Sequence, residues 1–251
     1  MSIFSINKKV KYNINDIKTN KIVLHHHLGL GDHLTCNGLV NYTSQYFDKI
    51  YLPVFEKNFN TINYLYKVNK KVKLFLVNQN NEFEEINDYS KKNKIDILRI
   101  GFENLKTPIQ ESFYSQIGLP YSHSIKYFNY QYDNIRNELL ESYLIKKYKA
   151  KNEYKVAHIE GSQGTFKVEN LNNINSRNLL LIEKKTDKYK NIFNYIKILN
   201  NAKEIHCINS SIFCLAERIP TNGKLFFHNL KKEPDVKNVT SFYKDWNFVD
   251  Y

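Results

Sequence analysis

Short apolar runs rich in β-branched and aromatic residues recur along this chain, and segments of helical spacing separate them. "KIVLHHH" (21–27), "KIYLPVF" (49–55), "VKLFLV" (72–77) and "IDILRIG" (95–101) read as strands. "DHLTCNGLVNYTSQYF" (32–47), "FNTINYLYKV" (59–68) and "EFEEINDYSKKN" (82–93) read as helices between them. Parallel strands need a crossover and helices supply it, so this alternation predicts a parallel, doubly wound sheet. "PIQESFYSQIGLP" (108–120) and "YDNIRNELLESYLIKKYKAKN" (132–152) read as further helices, and then the pattern restarts. "YKVAHIEG" (154–161), "NLLLIE" (178–183), "EIHCINS" (204–210) and "KLFFHN" (224–229) are strands; "YKNIFNYIKILNNA" (189–202) and "SIFCLAERI" (211–219) are helices. The expected fold class is α/β, two Rossmann-like halves facing a cleft, with domains 1–145 and 154–251 and a boundary near 140–153.

Composition narrows the setting. The chain has 251 residues, 42% hydrophobic and 25% charged, with 19 Tyr and 16 Phe to fill a core. Its longest apolar runs, such as "NLLLI" and "KLFLV", fall far short of the roughly 20 residues of a membrane span. The start "MSIFSINKKVKYNIND" lacks the apolar stretch of a secretory signal, which predicts a cytoplasmic protein. Cys36, Cys207 and Cys214 show no C-x-x-C spacing, which argues against a zinc or disulfide framework. The formal charge of +12 raises nucleic-acid binding as one reading. The charge is almost all lysine, spread along the chain. A diffuse field of that kind favours anionic ligands: nucleotide phosphates, phosphorylated sugars or an anionic membrane surface.

The stretch "HHHLGLGDHLTCNGLVNY" (25–42) holds the densest chemistry. A strand running through a glycine turn into a helix aims backbone N–H groups and the helix dipole at whatever lies above. Gly29 and Gly31 match the first two glycines of a dinucleotide fingerprint, but Leu34 occupies the third place. No clear acidic residue closes the next strand, which weakens the reading as an NAD enzyme. On a strand His25 and His27 share one face and His26 points the other way. The usual zinc spacings are missing, so the expectation is one packed histidine and one, His27, turned toward the ligand. Asp32 sits where a helix cap belongs.

These residues carry a resemblance. "HLGLGDHLTCNGLVNY" resembles the first βα turn of GT-B glycosyltransferases of the heptosyltransferase kind, glycosyltransferase family 9. There the turn faces the acceptor and its aspartate is the candidate general base, which falls here on Asp32. "NNAKEIHCINSSIFCLAERI" (200–219) is similar to the donor half of heptosyltransferase-like and fucosyltransferase-like enzymes, where a serine-bearing turn approaches the nucleotide phosphates. That implies Ser210 and Ser211. "VAHIEGSQGTFKV" (156–168) resembles the first strand and loop of the same half, with His158 at the strand end.

The resemblance implies a glycosyltransferase that works without a metal or cofactor, its donor a nucleotide-sugar and its acceptor a glycan or lipid-linked hydroxyl. No D-x-D triplet is present to chelate a metal. Transfer needs a base on the acceptor hydroxyl, charge or N–H groups on the leaving diphosphate, and exclusion of water. The expected catalytic residues are Asp32 and His33, with Gly29, Gly31, Asn37 and His27 around the acceptor. The expected donor residues are His158, Lys167, Ser210, Ser211 and His228, with Lys167 preferred over Arg177 and Lys224 as the cation. Other readings stay open: a sugar- or nucleotide-binding protein of this fold without catalysis, a basic nucleic-acid-binding protein, and helix caps or core histidines with no chemistry. Trp246 reads as an anchor for the tail.

Overall fold

A computed structural model describes residues 10–103, 105–106, 108–151, 153–161, 164–165, 177–229 and 240–250. The chain divides into two compact units, Met1–Gln131 with Val239–Ser241, and Tyr132–Asn238 with Phe242–Tyr251. Each is α/β and built on one five-stranded parallel sheet, a Rossmann-like arrangement. Among the described residues, no helix is long and apolar enough to cross a membrane.

The first unit runs β1 (Val10–Lys11), β2 (Lys21–His25), α1 (Leu30–Thr43), β3 (Lys49–Phe55), α2 (Phe59–Leu65), β4 (Val72–Val77), α3 (Glu82–Asn93), β5 (Asp96–Arg99), α4 (Ile109–Ser115) and α5 (His123–Lys126). The strands lie in the order β1-β5-β2-β3-β4. One apolar layer joins Val23, Phe55, Val77 and Ile97 on the strands to Ile86 of α3, with Phe75 stacked on Tyr89 at 4.0 Å. α1 packs closely on α5. A Cβ on Gly38 would lie 2.2 Å from the His123 carbonyl oxygen, so only glycine permits this approach. The Tyr114 hydroxyl donates to the Thr35 carbonyl (2.6 Å) and accepts from the Leu39 N–H (3.1 Å), tying α4 into the α1 ladder.

The second unit runs α6 (Asn134–Tyr148), β6 (Lys155–His158), β7 (Glu160–Gly161), β8 (Gly164–Thr165), β9 (Leu179–Ile182), α7 (Ile196–Asn201), β10 (Glu204–Cys207), α8 (Ser211–Ala216), β11 (Lys224–Asn229) and β12 (Trp246–Asp250). Its sheet order is β12-β11-β10-β6-β9. α6, expected to straddle the boundary, belongs to this unit: the Asn137 amide donates to the Phe193 carbonyl (3.1 Å) and accepts from Lys197 N–H (2.9 Å). The tail is a strand, not merely an anchor. β12 pairs with β11, and Trp246 is buried against Phe213 and Phe227 while its indole N–H donates to Glu217. Lys244 Nζ donates to the carbonyls of Ala216 (2.7 Å) and Ile219, closing the end of α8. Burial lowers its pKa to about 8.

Six of the eight histidines are buried: His25, His26, His33, His158, His206 and His228. Burial lowers the pKa of every one, to about 3 for His26 and His158 and about 4 for His228. The unfolded chain protonates them near pH 6.5, so below that pH it binds protons the native state refuses. Each such group removes about 1.4 kcal/mol of stability per pH unit until its folded pKa is reached. Asp32 acts in the opposite sense but is one group against six. Urea unfolding at successive pH values should therefore show stability falling steeply from pH 6.5 downward; a flat profile to pH 5 would contradict the burial. Gly38→Ala should also destabilise, by about 1–3 kcal/mol through overpacking. At an open helix position the same change stabilises by up to about 1 kcal/mol, so the sign of the measured shift decides.

Candidate functional site

In open α/β sheets ligands bind beyond the carboxyl ends of the strands, where the strand order reverses direction. In the first sheet the chain leaves β2 toward β3 and β4, then returns to β5 on β2's other edge, so the reversal lies between β2 and β5. In the second it leaves β6 toward β9 and returns to β10, which places the reversal between β6 and β10. Histidine hydrogen bonds span both gaps.

At the first gap, His25 Nδ1 accepts from Arg99 Nε (3.1 Å) and its Nε2 donates to Glu82 (3.1 Å). Full burial keeps the ring neutral despite the carboxylate, so its proton sits on Nε2. His27 donates from Nε2 to the Gly101 carbonyl at 2.5 Å, and Phe102 packs against both rings at 4.5 and 4.7 Å. Gly101 has φ +87°, a left-handed backbone that suits glycine.

The glycine turn differs from the expected form. α1 starts at Leu30, and its N-cap is Gly29, which has no side chain to cap with. Asp32 is the third helical residue and reaches back to accept the Gly29 N–H, the carboxylate half of a capping box. A Cβ at Gly29 would stand 2.5 Å from Asp32 Oδ2, so glycine leaves room for this carboxylate. Burial raises the Asp32 pKa, while His27 and the Gly29 N–H pull it down. Gly31 is half-buried in the same turn.

His33 does not stand beside this carboxylate. It is fully buried with its ring 4.7 Å from His26, and neither of its ring nitrogens has a partner among the described residues. The helical turn carries adjacent residues to different faces, which separates His33 from Asp32. Asn37 is also fully buried. Its oxygen accepts from Asn41 Nδ2 (3.0 Å) and from Asn129 N–H (2.8 Å), so it fastens a loop instead of presenting an amide to solvent.

At the second gap, His158 Nδ1 lies 2.9 Å from Ser210 Oγ. Ser210 caps α8 by accepting the Phe213 N–H (3.4 Å), so its own proton can go to Nδ1, leaving the His158 proton on Nε2. His158 is neutral because it is buried and because Lys184 is near. Ser211, half-buried, opens α8. Among the described residues, Lys184, just past the end of β9, is a cation near His158; its backbone N–H donates to the Glu160 carboxylate. The strand-ending "IEKK" was the available signal for it. Lys167 lies outside the described residues. Lys224 opens β11 at the opposite end of the sheet, and Arg177 is exposed ahead of β9.

His228 is not brought to this pair. The register aligns His158 with Cys207 and Phe227, and His206 with Phe226, so His228 lies on the opposite face of the sheet. It donates from Nε2 to His206 Nδ1 (3.0 Å); His206 donates to Glu204 (3.2 Å), which pairs with Lys155 (2.8 Å). Among the described residues, no three His, Cys, Asp or Glu side chains gather as a set that could hold a metal.

No protein-family model and no curated protein matches the sequence. Among solved structures, the glycosyl transferase family 9 from Veillonella parvula DSM 2008 is similar with a TM-score of 0.57 at 8% identity, over 92% of this chain and 86% of that one. At that identity the likeness is one of fold alone: the two chains share an α/β architecture.

Proposed function

We propose that the protein is a glycosyltransferase that moves a sugar from a nucleotide-sugar donor to a hydroxyl acceptor without a metal. The observation that carries the reading is the carboxylate of Asp32. It sits at the reversal point of the first sheet, on a fold shared with a glycosyl transferase, with its pKa raised by burial. A carboxylate of raised pKa is a stronger base than an ordinary one, as deprotonating an acceptor hydroxyl requires. His27, held to the Gly101 carbonyl, and the turn at Gly29 and Gly31 border the acceptor.

The donor diphosphate binds at the second reversal point. His158 Nε2–H, the hydroxyls of Ser210 and Ser211 and the ammonium of Lys184 supply hydrogen bonds and one positive charge to the leaving group. Lys167 adds to them in this reading. The acceptor is a glycan or lipid-linked sugar, the latter presented at an anionic membrane surface.

The test is a panel of nucleoside diphosphates and nucleotide-sugars, scored first by thermal shift and then by turnover. A ligand at a hundred times its Kd stabilises by about 2.7 kcal/mol. Asp32→Asn keeps the acceptor oxygen for Gly29 N–H and should lower kcat by about 10²–10⁴-fold, with donor binding unchanged. In the wild type kcat/KM should fall as pH drops through the raised Asp32 pKa, since only the carboxylate acts as base. Ser210→Ala should weaken diphosphate binding about tenfold, the worth of one hydrogen bond to a charged group. Donor binding without turnover on any acceptor would make this a binding protein of the same fold. A panel with no stabilising ligand would end the proposal.

A further inference from the structure

An open cavity of about 610 Å³ lies in the first unit, at the other end of α1 from the glycine turn. Its walls come from the end of α1 (Asn41, Ser44, Gln45), the segment before β4 (Val68, Asn69, Lys71) and the end of α5 with the residues that follow it (126–129). At 1.5 Å per residue, Ser44 is about 18 Å along the helix from Asp32, and the cavity opens at the amino-terminal edge of the sheet. It is therefore separate from the residues assigned above.

The cavity floor is a fixed amide lattice. Asn69 Nδ2 donates to Asn41 Oδ1 (2.8 Å) and Ser44 Oγ (3.1 Å). Asn41 Nδ2 donates to the Tyr127 carbonyl (3.1 Å), and Lys71 Nζ to the Ser44 carbonyl (2.8 Å). These bonds tie three separate chain segments together before any ligand arrives. Aromatic rings stand at the rim: Tyr127 packs against Tyr42 at 5.1 Å and His123 at 4.8 Å, with Phe128 next to it. Gln45 and Asn129 stand exposed on the same walls.

We infer that this cavity binds uncharged sugar residues of a glycan. Its size falls within the roughly 300–1,000 Å³ of small-molecule sites, but its walls are amide-rich where such sites are mostly apolar. The floor amides are spent on one another, so the exposed amides of Gln45 and Asn129 are the ones to donate and accept together, as a vicinal diol demands, with the Tyr127 and Phe128 rings beside them for sugar C–H groups. A polyphosphate is disfavoured. The wall from α1 is a helix C-terminus, where the backbone dipole is negative; of the two lysines in the lining, Lys71 is committed to the carbonyl there and Lys126 lies over the Tyr127 ring at 5.4 Å. The inference stands on the cavity alone; joined to the proposed transfer reaction, it would hold acceptor sugars remote from the reacting hydroxyl.

The experiment is an array of neutral and acidic oligosaccharides probed with the intact protein at low and high salt, followed by calorimetry on the best ligand. Neutral glycans should be retained at both salts. Gln45→Ala, at an exposed position, and Gln45→Ala/Tyr127→Ala should weaken them at least tenfold with unchanged circular dichroism, whereas Asp32→Asn should leave retention intact. A blank array, binding confined to acidic glycans and lost in salt, or full affinity in the double variant would overturn the inference. Loss of glycan binding to the wild type with nucleotide-sugar binding preserved would remove this site and leave the transfer reading standing.

Discussion

Strands β2 and β6 each lie inside their sheet with a neighbour on both edges, and nearly every residue in them is buried. Polar side chains at their carboxyl ends therefore meet other protein groups instead of bulk water. A protonated imidazole would be costly there, so His25 and His158 are neutral and take their donors and acceptors from other elements of the fold. Arg99 and Glu82 serve His25, and Ser210 serves His158. These pairings fix which ring nitrogen carries the proton: both nitrogens of His25 are taken, while His158 uses Nδ1 and keeps its Nε2–H. The positions that hold each sheet together at its reversal point are thus also the ones whose chemistry is best defined.

Asp32 shows two effects opposed at one atom. A carboxylate in the first turn of a helix is ordinarily favoured as the anion by the dipole and by capped N–H groups. Here it does accept the Gly29 N–H and stands near His27, yet burial outweighs both and its pKa rises. The glycine makes this possible, because any side chain at position 29 would occupy the space of the carboxylate oxygen. The turn is therefore more than a tight connection. It holds a carboxylate in a partly buried place while leaving one neighbouring N–H to orient it.

What was legible in the sequence was local. β4 and α3 have the bounds their periodicity predicts, and β6, β9, β10 and β11 fall within theirs. The cap of α1 was misread because an aspartate suits both N-cap and third position, and only the backbone decides between them. β12 was missed since its strand character comes from pairing with β11. Arg99 and Glu82 could not be linked to His25 by any local rule: they lie 74 and 57 residues away. Nor does spacing reveal that His158 and His228 fall on opposite faces, which depends on registers across β10.

The net charge of +12 contributes less to ligand choice than its size suggests. Four lysines of the second unit are already opposite carboxylates: Lys155 with Glu204, Lys197 with Glu138 and Glu141, Lys203 with Glu153, Lys147 with Glu183. What remains of the field is screened beyond about 8 Å at physiological salt. A bound anion would respond mainly to the groups within that distance, and among the described residues Lys184 is a cation near His158. In the proposed transfer reaction, selection of a phosphate ligand would therefore fall to groups in direct reach of it, and the diffuse lysine charge would serve mainly to bring anions near.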